Sequence, residues 1–379
     1  MSVQFPAVDP EGLLEYSVVF TDRSLNHMSA QFQQVMRDIH HHLGEVYGAD
    51  DVVVVPGGGS YGMEAVARQF ARAETCLVIR NGWFSYRWSQ IFEAASLPAR
   101  EIVLKARPLT ADDQAPWAPA PLEEVINTIR EQRPAVVFAP HVETASGILL
   151  PDSWIQAVAE AVHGYGGLMV LDCVASGAVW VDMRALGVDV LISAPQKGWS
   201  ASPCAALVML SERALARMAE TTSDSFACDL KKWHQIMQAY VKGGHAYHAT
   251  LPTDALARFR DAVLETRRVG LDVVRERQWQ LGRAVRTLLA DYGYASVAAP
   301  EFAAPGVVVS YTTDEQIHNG RKFIEQGLQT AAGVPLMCEE PAGFRTFRIG
   351  LFGLDKWLDV DRAVDNLRQA LDAIQGRQG

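Results

Sequence analysis

Short, unbroken apolar runs alternate with stretches of helical periodicity through the first two-thirds of this 379-residue chain. The apolar runs are residues 52–55, 76–79, 135–139, 168–171, 188–192 and 205–210. Helical stretches follow the first three runs, at residues 61–73, 84–95 and 154–163. Apolar runs without polar alternation are typical of strands buried on both faces, and intervening helices favour parallel neighbours. The pattern therefore predicts an α/β fold with a mostly parallel sheet of about seven strands.

The last third of the chain has a different organisation. A long helical pattern extends from about residue 252 to residue 291. It precedes a strand pattern at 306–311, a helix at 316–331, a strand at 346–350 and an amphipathic helix at 360–374. We therefore predict a large domain at residues 1–255. Residues 256–379 are predicted to form a linker helix and a smaller C-terminal α+β domain.

The composition argues against several classes of protein. No stretch approaches the roughly 20 apolar residues of a membrane span, and residues 1–10 lack the basic and apolar regions of an export signal. The five cysteines are dispersed and form no CxxC pair, as expected for reduced thiols. A net charge of -10 would repel a phosphate backbone. We expect a cytoplasmic protein without a membrane or nucleic-acid partner.

A glycine-rich turn follows the first apolar run. Gly57, Gly58 and Gly59 precede Ser60 and open the first helical pattern of the alternating region. Glycines allow close approach of an anion to the backbone, and the N–H groups at a helix start bind phosphate. The turn is thus a candidate phosphate site, although a plain strand-to-helix turn has the same sequence character.

The same turn matches G-x-G-x-x-G, which is a fingerprint of dinucleotide-binding enzymes. That interpretation requires an acidic residue at the end of the next strand to bind the ribose hydroxyls. The next strand pattern ends instead at Arg80, which would suit a 2′-phosphate. An NADP-dependent oxidoreductase is therefore a distant alternative.

Two charged residues stand at the ends of later apolar runs. Asp172 ends the run at 168–171, and Lys197 follows the run at 188–192. Read separately, they are compatible with a helix cap and a solvated loop lysine. Together with a phosphate site they form the set that pyridoxal 5′-phosphate (PLP) requires. The carboxylate keeps the ring nitrogen protonated, and a lysine with a lowered pKa binds the aldehyde.

Seven segments in the same order resemble the class V aminotransferases of PLP fold type I, especially the alanine-glyoxylate and serine-glyoxylate group. The segments are GGGSYGMEA (57–65), NGWFSYRW (81–88), HVETASG (141–147), LDCVAS (171–176), QK (196–197), YHATLP (247–252) and FRIG (347–350). The resemblance covers nearly the whole chain. It implies an aspartate-aminotransferase-like fold, with a large PLP-binding domain and a small C-terminal domain.

The resemblance also implies how the cofactor is bound. Lys197 would hold PLP as a Schiff base, and Gly58, Gly59 and Ser60 would bind its phosphate. Gln196 would supply a further donor beside the lysine. Gly58 stands where many relatives carry serine, which removes one hydroxyl donor from this cup.

Further roles follow from matching positions around the ring and the substrate. Phe84 would stack on the pyridine ring, with Trp83 as the alternative, and Thr144 would reach the phenolic oxygen. Arg348 would bind the substrate carboxylate through its planar fork, with Arg345 as the nearby alternative.

Other matching positions imply that two subunits share their active sites. Tyr247 and Thr250 match positions that reach the cofactor phosphate of the neighbouring subunit, so the resemblance implies a homodimer. The N-terminal segment, residues 1–30, would contribute to the active site. Its sequence around residues 8–12 lacks the proline-glycine-proline loop that is usual there, which bears on substrate identity.

The function implied is transfer of an amino group from a small amino acid, such as alanine or serine, to glyoxylate or pyruvate by a ping-pong mechanism. A PLP-dependent lyase, or an aminotransferase acting on an aminophosphonate, is the alternative. A desulfurase would need a mobile nucleophilic cysteine, for which only Cys338 is a candidate. A catalytically silent cofactor-binding protein is disfavoured, because both Lys197 and Asp172 are retained.

The run His40, His41 and His42 resembles a metal-binding cluster. Adjacent helical residues point in different directions, so we interpret the run as a solvated helix face and predict no metal site.

Overall fold

The computed structural model describes residues 12–377. The twelve strands are β1 Asp51–Pro56, β2 Thr75–Arg80, β3 Arg100–Lys105, β4 Arg107–Pro108, β5 Trp117–Ala118, β6 Val136–Pro140, β7 Leu168–Asp172, β8 Val190–Ser193, β9 Ala205–Leu210, β10 Val307–Tyr311, β11 Ala331–Ala332 and β12 Thr346–Gly350. Residues 8–11, where the N-terminal sequence departs from the family, lie outside the described residues.

The helices alternate with these strands along the first part of the chain. They are α1 Ala30–Tyr47, α2 Gly59–Phe70, α3 Trp83–Ala95, α4 Leu122–Gln132, α5 Asp152–His163, α6 Met183–Leu186, α7 Glu212–Glu220, α8 Leu230–Val241, α9 Thr253–Val269, α10 Leu271–Asp291, α11 Glu315–His318, α12 Arg321–Glu325, α13 Leu354–Trp357 and α14 Val360–Gln375. Within residues 12–377, no helix combines the length and the apolar character needed to cross a bilayer.

A seven-stranded sheet forms the centre of the protein, in the order β1-β9-β8-β7-β6-β2-β3. β9 is antiparallel to both of its neighbours, and the other strands run parallel to one another. β6, β7, β8 and β9 are buried along their whole length, as their unbroken apolar sequences predict. The predicted α/β fold and its mostly parallel seven-stranded sheet are confirmed.

The C-terminal part forms a three-stranded antiparallel sheet in the order β10-β12-β11, against which α10 packs through β10. Two predictions for this part are wrong in detail. The helix predicted at 316–331 is two short helices, α11 and α12, because Gly320 takes a left-handed conformation with φ +81° between them. The long helical pattern is likewise two helices, separated by Gly270 at φ +105°.

The predicted division between residues 255 and 256 stays a prediction. α9 packs against α1 beside the large sheet, whereas α10 packs against α14 and the small sheet. The change of packing partner falls at Gly270, some way after the predicted boundary.

A buried carboxylate connects three elements at the edge of the large sheet. Asp51, at the start of β1, accepts hydrogen bonds of 2.7 Å from His40 of α1 and from both His234 and Gln238 of α8. The backbone N–H of Val52 donates a fourth bond. Burial opposes ionisation, but the bonds from the histidines and from Val52 outweigh it and hold the pKa of Asp51 below its ordinary value of 3.8.

We expect Asp51→Asn to lower the free energy of unfolding by about 2 kcal/mol at pH 7, because the amide cannot accept all four bonds. A depressed carboxyl pKa stabilises the folded state above pH 3.8 and is lost as the pH falls further. Urea denaturation of both proteins between pH 3 and pH 8 checks this. A constant difference over that range would contradict the assignment of the stabilisation to the ionised carboxylate.

Candidate active site

The carboxyl ends of β6, β7 and β8 meet the start of α2 at one edge of the large sheet, around a cavity of about 190 Å³. Its wall consists of Gly59, Ser60, Met63, Phe84, Arg87, Val142, Thr144, Asp172, Val174, Ala175, Gln196 and Lys197. Open α/β sheets bind ligands at this edge. The cavity brings together most of the residues that the sequence predicts for the cofactor site.

The glycine turn leaves the start of α2 open to an anion. Gly57 has φ +124°, and a Cβ there would lie 2.5 Å from the ring of Tyr61, so only glycine fits. Gly58 is the N-cap and has no side chain to bond the first N–H groups. A Cβ at Gly59 would lie 2.7 Å from Val174, whereas at Gly58 it would meet open space. Gly59 and Ser60 line the cavity, and a helix start leaves their N–H groups without intrahelical partners, so the turn suits a phosphate.

Asp172 is the last residue of β7 and is buried. Its Oδ1 accepts a 2.9 Å bond from the backbone N–H of Val174. Burial raises the pKa of Asp172 to about 6, although the Val174 bond and the positive charges of Lys197 and Arg87 act in the opposite direction. Such a carboxylate gains from a cationic partner at close range, which a protonated ring nitrogen provides.

Lys197 lies in the loop after β8, and its side chain is half-buried in the cavity wall. Burial lowers the pKa of Lys197; the charges of Arg348 and Arg87 add to this, while Asp172 opposes it. The neighbouring backbone is tightly packed, because a Cβ at Gly198 would lie 2.2 Å from the carbonyl oxygen of Gly177. A fixed amine with a lowered pKa is a competent nucleophile for an aldehyde.

Phe84, rather than Trp83, contributes its ring to the cavity wall. The ring of Trp83 packs on Tyr86 instead, with 5.7 Å between centroids. Thr144 also lines the cavity, on the segment that follows β6. The roles predicted for Phe84 and Thr144 towards the cofactor ring stay predictions, and the structure places both side chains in the same cavity wall.

Arg348 of β12 lies beside this wall, with its guanidinium carbon 5.5 Å from the centroid of the Phe84 ring. Its Nε donates a 2.8 Å bond to the carbonyl oxygen of Ala332, and burial lowers the pKa of Arg348. Arg345 instead bonds the carbonyl of Thr313 and pairs with Glu315 at 3.3 Å. Of the two predicted arginines, the geometry favours Arg348.

Tyr247 and Thr250 do not line the cavity that contains Lys197. Both are exposed, and the hydroxyl of Tyr247 lies 3.0 Å from that of Thr250. Their predicted contact with a cofactor phosphate is therefore not made within the single chain.

Two charged residues at this site received no role from the sequence. The carboxylate of Glu143 is buried and accepts hydrogen bonds from the N–H groups of Phe84, Ser85 and Ala145. It thereby caps α3 and fixes the helix that carries Phe84. Arg87 lies in the cavity wall one turn further along α3. Both residues fall within matching segments, but only the folded chain reveals what they contact.

The groups on which the alternative functions depended are used elsewhere. Cys338 is buried, its thiol donates to the carbonyl of Arg80, and burial raises its pKa to about 12, which makes it a poor nucleophile. The Arg80 guanidinium itself donates to Ser89 and to the carbonyl of Met337. Cys338 therefore does not support a desulfurase, and Arg80 does not support an NADP site.

The histidine run differs in part from expectation. His40 turns towards Asp51, but His41 and His42 bring ring nitrogens to within 4.8 Å of each other and of the Glu45 carboxylate. The expectation that adjacent residues diverge is therefore wrong for this pair. Glu45 is also bound by Arg267 at 2.8 Å.

The residues of the cavity fit PLP. The donor set comprises free helix N–H groups and a hydroxyl for the phosphate, a buried carboxylate for the ring nitrogen, and a half-buried amine for the aldehyde. The side-chain oxygen of Gln196 is buried without a partner among the described residues; this atom accepts hydrogen bonds, so a ligand group that donates would satisfy it. The fold and the site together define a PLP enzyme of fold type I.

The family model for class-V aminotransferases matches residues 12–335, and the chain belongs to this family. It is 25% identical over 362 residues to the alanine–glyoxylate aminotransferase of Rattus norvegicus, covering 92% of this chain and 82% of the relative. It is 28% identical over 339 residues to the 2-aminoethylphosphonate–pyruvate transaminase of Burkholderia ambifaria, covering 86% and 84%. The crystal structure of an alanine–glyoxylate aminotransferase from Nostoc superimposes with a TM-score of 0.79 at 22% identity, covering 93% of this chain and 89% of the other.

The protein is therefore a PLP-dependent aminotransferase, as the sequence predicts. The distant alternative of an NADP-dependent oxidoreductase is wrong. Its G-x-G-x-x-G match falls on a glycine turn at a helix start, a feature that suits phosphate in both kinds of enzyme.

We expect borohydride reduction of the PLP-loaded protein to attach the cofactor irreversibly to Lys197. Lys197→Ala should lose the visible absorbance band and the reduced adduct, because no amine replaces the missing one. Lys356→Ala is the matched control, since the Lys356 amine bonds the carbonyl of Phe352 while Lys197 lies 5.3 Å from the ring of the same residue. Peptide mass mapping identifies the modified lysine, and an adduct on any other lysine would contradict the assignment.

Proposed function

We propose that the protein transfers the amino group of a small amino acid, such as alanine or serine, to a 2-oxo acid such as glyoxylate or pyruvate. The names of the similar proteins support this substrate class, since they combine alanine or a small amine with glyoxylate or pyruvate.

Arg348 is the observation that carries the proposal. Its Nε donates to the carbonyl oxygen of Ala332, while its two terminal nitrogens have no hydrogen-bond partner within residues 12–377. A guanidinium that is half-buried and held by its Nε presents a planar fork to a carboxylate. One such fork beside Lys197 suits a substrate with a single carboxylate.

PLP, when bound, supplies the electron sink that lets the bond from the substrate α-carbon to hydrogen break. Asp172 would keep a proton on the ring nitrogen, because its carboxylate is buried and gains from the positive charge. Lys197 Nζ would take the proton from the substrate α-carbon and return it to the other side of the C–N bond. Phe84 and Thr144 would fix the ring plane, and Arg348 would orient the α-carbon towards the lysine. Two half-reactions on one site give ping-pong kinetics.

An aminophosphonate donor is the second candidate. The 28% identity to a 2-aminoethylphosphonate–pyruvate transaminase supports it, and Arg87 adds a second cation to the cavity wall. The donor then carries its anionic charge on a phosphonate instead of a carboxylate. Competition between alanine and 2-aminoethylphosphonate for the same half-reaction distinguishes the two.

We expect Arg348→Gln to lower kcat/KM for alanine by about 100-fold, mainly through KM, since a charge-assisted bidentate contact is lost. Arg345→Gln is the control, because that arginine pairs with Glu315 outside the cavity. Single-turnover bleaching of the cofactor band, measured against donor concentration, gives both parameters. Equal effects of the two substitutions would overturn the role of Arg348.

We further propose a homodimer in which each subunit completes the site of its partner, located in the cytoplasm. Large apolar side chains are exposed at Tyr16 and Val18, and elsewhere in the sequence at Phe226 and Tyr247. The ring of His27 lies 5.7 Å from that of Phe20 and 5.5 Å from that of Tyr247, so it contacts the N-terminal part and Tyr247 together. An exposed apolar patch of this kind favours burial against a second copy of the chain. All five cysteines are buried and unpaired, which supports a reducing compartment.

Subunit mixing tests the shared site. Lys197→Ala lacks the amine, and a Tyr247→Phe, Thr250→Val double variant would lack the donors for the partner's phosphate. Each homodimer should have little activity at limiting PLP, whereas mixed dimers should regain about half of the wild-type value per site, because one of their two sites carries no substitution. Failure of mixed dimers, verified by mass, to regain activity would contradict shared sites.

A further inference from the structure

Arg87 forms no salt bridge within the described part of the chain, and its charge acts on Asp172 only across the cavity. Its Nη1 donates a 2.8 Å bond to the hydroxyl of Ser60, and its guanidinium carbon lies 5.2 Å from the centroid of the Phe84 ring. Both contacts are with uncharged groups. A half-buried guanidinium without a carboxylate partner is stabilised when an anion binds beside it.

The hydroxyl that Arg87 contacts belongs to the first turn of α2. That helix start carries a partial positive charge from its unpaired N–H groups. Arg87 approaches it from α3, so two positive ends face each other across the Ser60 side chain. The Arg87 guanidinium and the start of α2 repel each other when nothing is bound. An anion between the two helices would be attracted by both and would remove this repulsion.

The position of Arg87 also separates it from the substrate arginine. Arg87 and Arg348 both lie near the Phe84 ring, at 5.2 and 5.5 Å from its centroid. Only Arg87 contacts the turn at Ser60, whereas Arg348 is attached to Ala332 in the small sheet. The two cations therefore suit two different anions.

We propose that Arg87 binds the phosphate group of the cofactor, as the charged member of a cup formed otherwise by the glycine turn and Ser60. The inference rests on the PLP site but not on the choice of amino donor. A phosphate ester carries nearly two negative charges at neutral pH, and a guanidinium fork matches two of its oxygens. The cup has room for this contribution, because Gly58 presents no side chain and faces open space.

Comparison of PLP with pyridoxal, which lacks the phosphate, tests the proposal. Apoprotein prepared from the holoenzyme is titrated with each compound, and binding is followed by the absorbance band of the cofactor without any amino donor. Arg87→Gln should raise the Kd for PLP by about 10- to 100-fold. The Kd for pyridoxal should change less than about twofold. Arg87→Lys, which keeps the charge but loses the fork, should fall between wild type and Arg87→Gln.

Arg130→Gln is the matched control, because Arg130 is an exposed arginine near the end of α4. Circular dichroism and thermal denaturation establish that each variant is folded, and Arg87→Lys carries the test if Arg87→Gln does not fold. An equal loss of affinity for PLP and pyridoxal would overturn the proposal, since Arg87 would then act on the ring or on the fold. An unchanged Kd for PLP with a raised KM for 2-aminoethylphosphonate alone would assign Arg87 to the substrate instead.

Because the titration contains no amino donor, its outcome is independent of the proposed function. A protein that binds PLP through Arg87 but transaminates neither alanine nor 2-aminoethylphosphonate would refute the substrate class and leave this inference intact. If the wild type transaminates alanine while Arg87→Gln retains full PLP affinity, this inference is refuted and the proposed substrate class stands.

Discussion

The burial of the Asp172 carboxylate is the constraint on which the active site depends. Desolvation raises its pKa from 3.8 to about 6, which corresponds to an electrostatic cost of about 3 kcal/mol for the ionised form. The cost applies above pH 6, where the folded chain must hold the charge, and disappears below pH 4, where both the folded and unfolded forms are protonated. A protonated ring nitrogen bound at Asp172 would offset that cost and would couple cofactor affinity to fold stability at this residue.

The position of that carboxylate follows from the sheet. β6, β7 and β8 are parallel and fully buried, so the segments that follow them emerge together at one edge. Close backbone packing brings α2 to the same edge, since a Cβ at Gly62 would lie 2.5 Å from that of Ala206 in β9. The apolar strands thus supply rigidity, and the groups that carry charge stand at their ends. Because these side chains are already held in place, little free energy is lost in ordering them when PLP binds.

The sequence predicts those parts of the protein that depend on local pattern. Strands buried on both faces give unbroken apolar runs; Asp172 stands directly after one of them, and Lys197 lies five residues after the end of the next. The helix predicted at 316–331 failed because a single residue, Gly320, changes the backbone direction while the apolar periodicity continues. Glu143 and Arg87 could not be assigned roles, because their partners are 58 and 27 residues away in the sequence. The prediction for Tyr247 and Thr250 depends on a second subunit, which the pattern within one chain does not describe.

Helix α3 connects these long-range contacts. Glu143 fixes its first turn, Phe84 on that turn faces the cavity, and Arg87 one turn later reaches Ser60 of α2. A displacement of α3 would therefore move the stacking ring and the Arg87 charge together. Because Arg87 and Arg348 both act to lower the pKa of Lys197, their neutralisation by bound anions should raise it. Lys197 would then be a stronger base in the loaded site, where the proposed mechanism requires it to accept a proton.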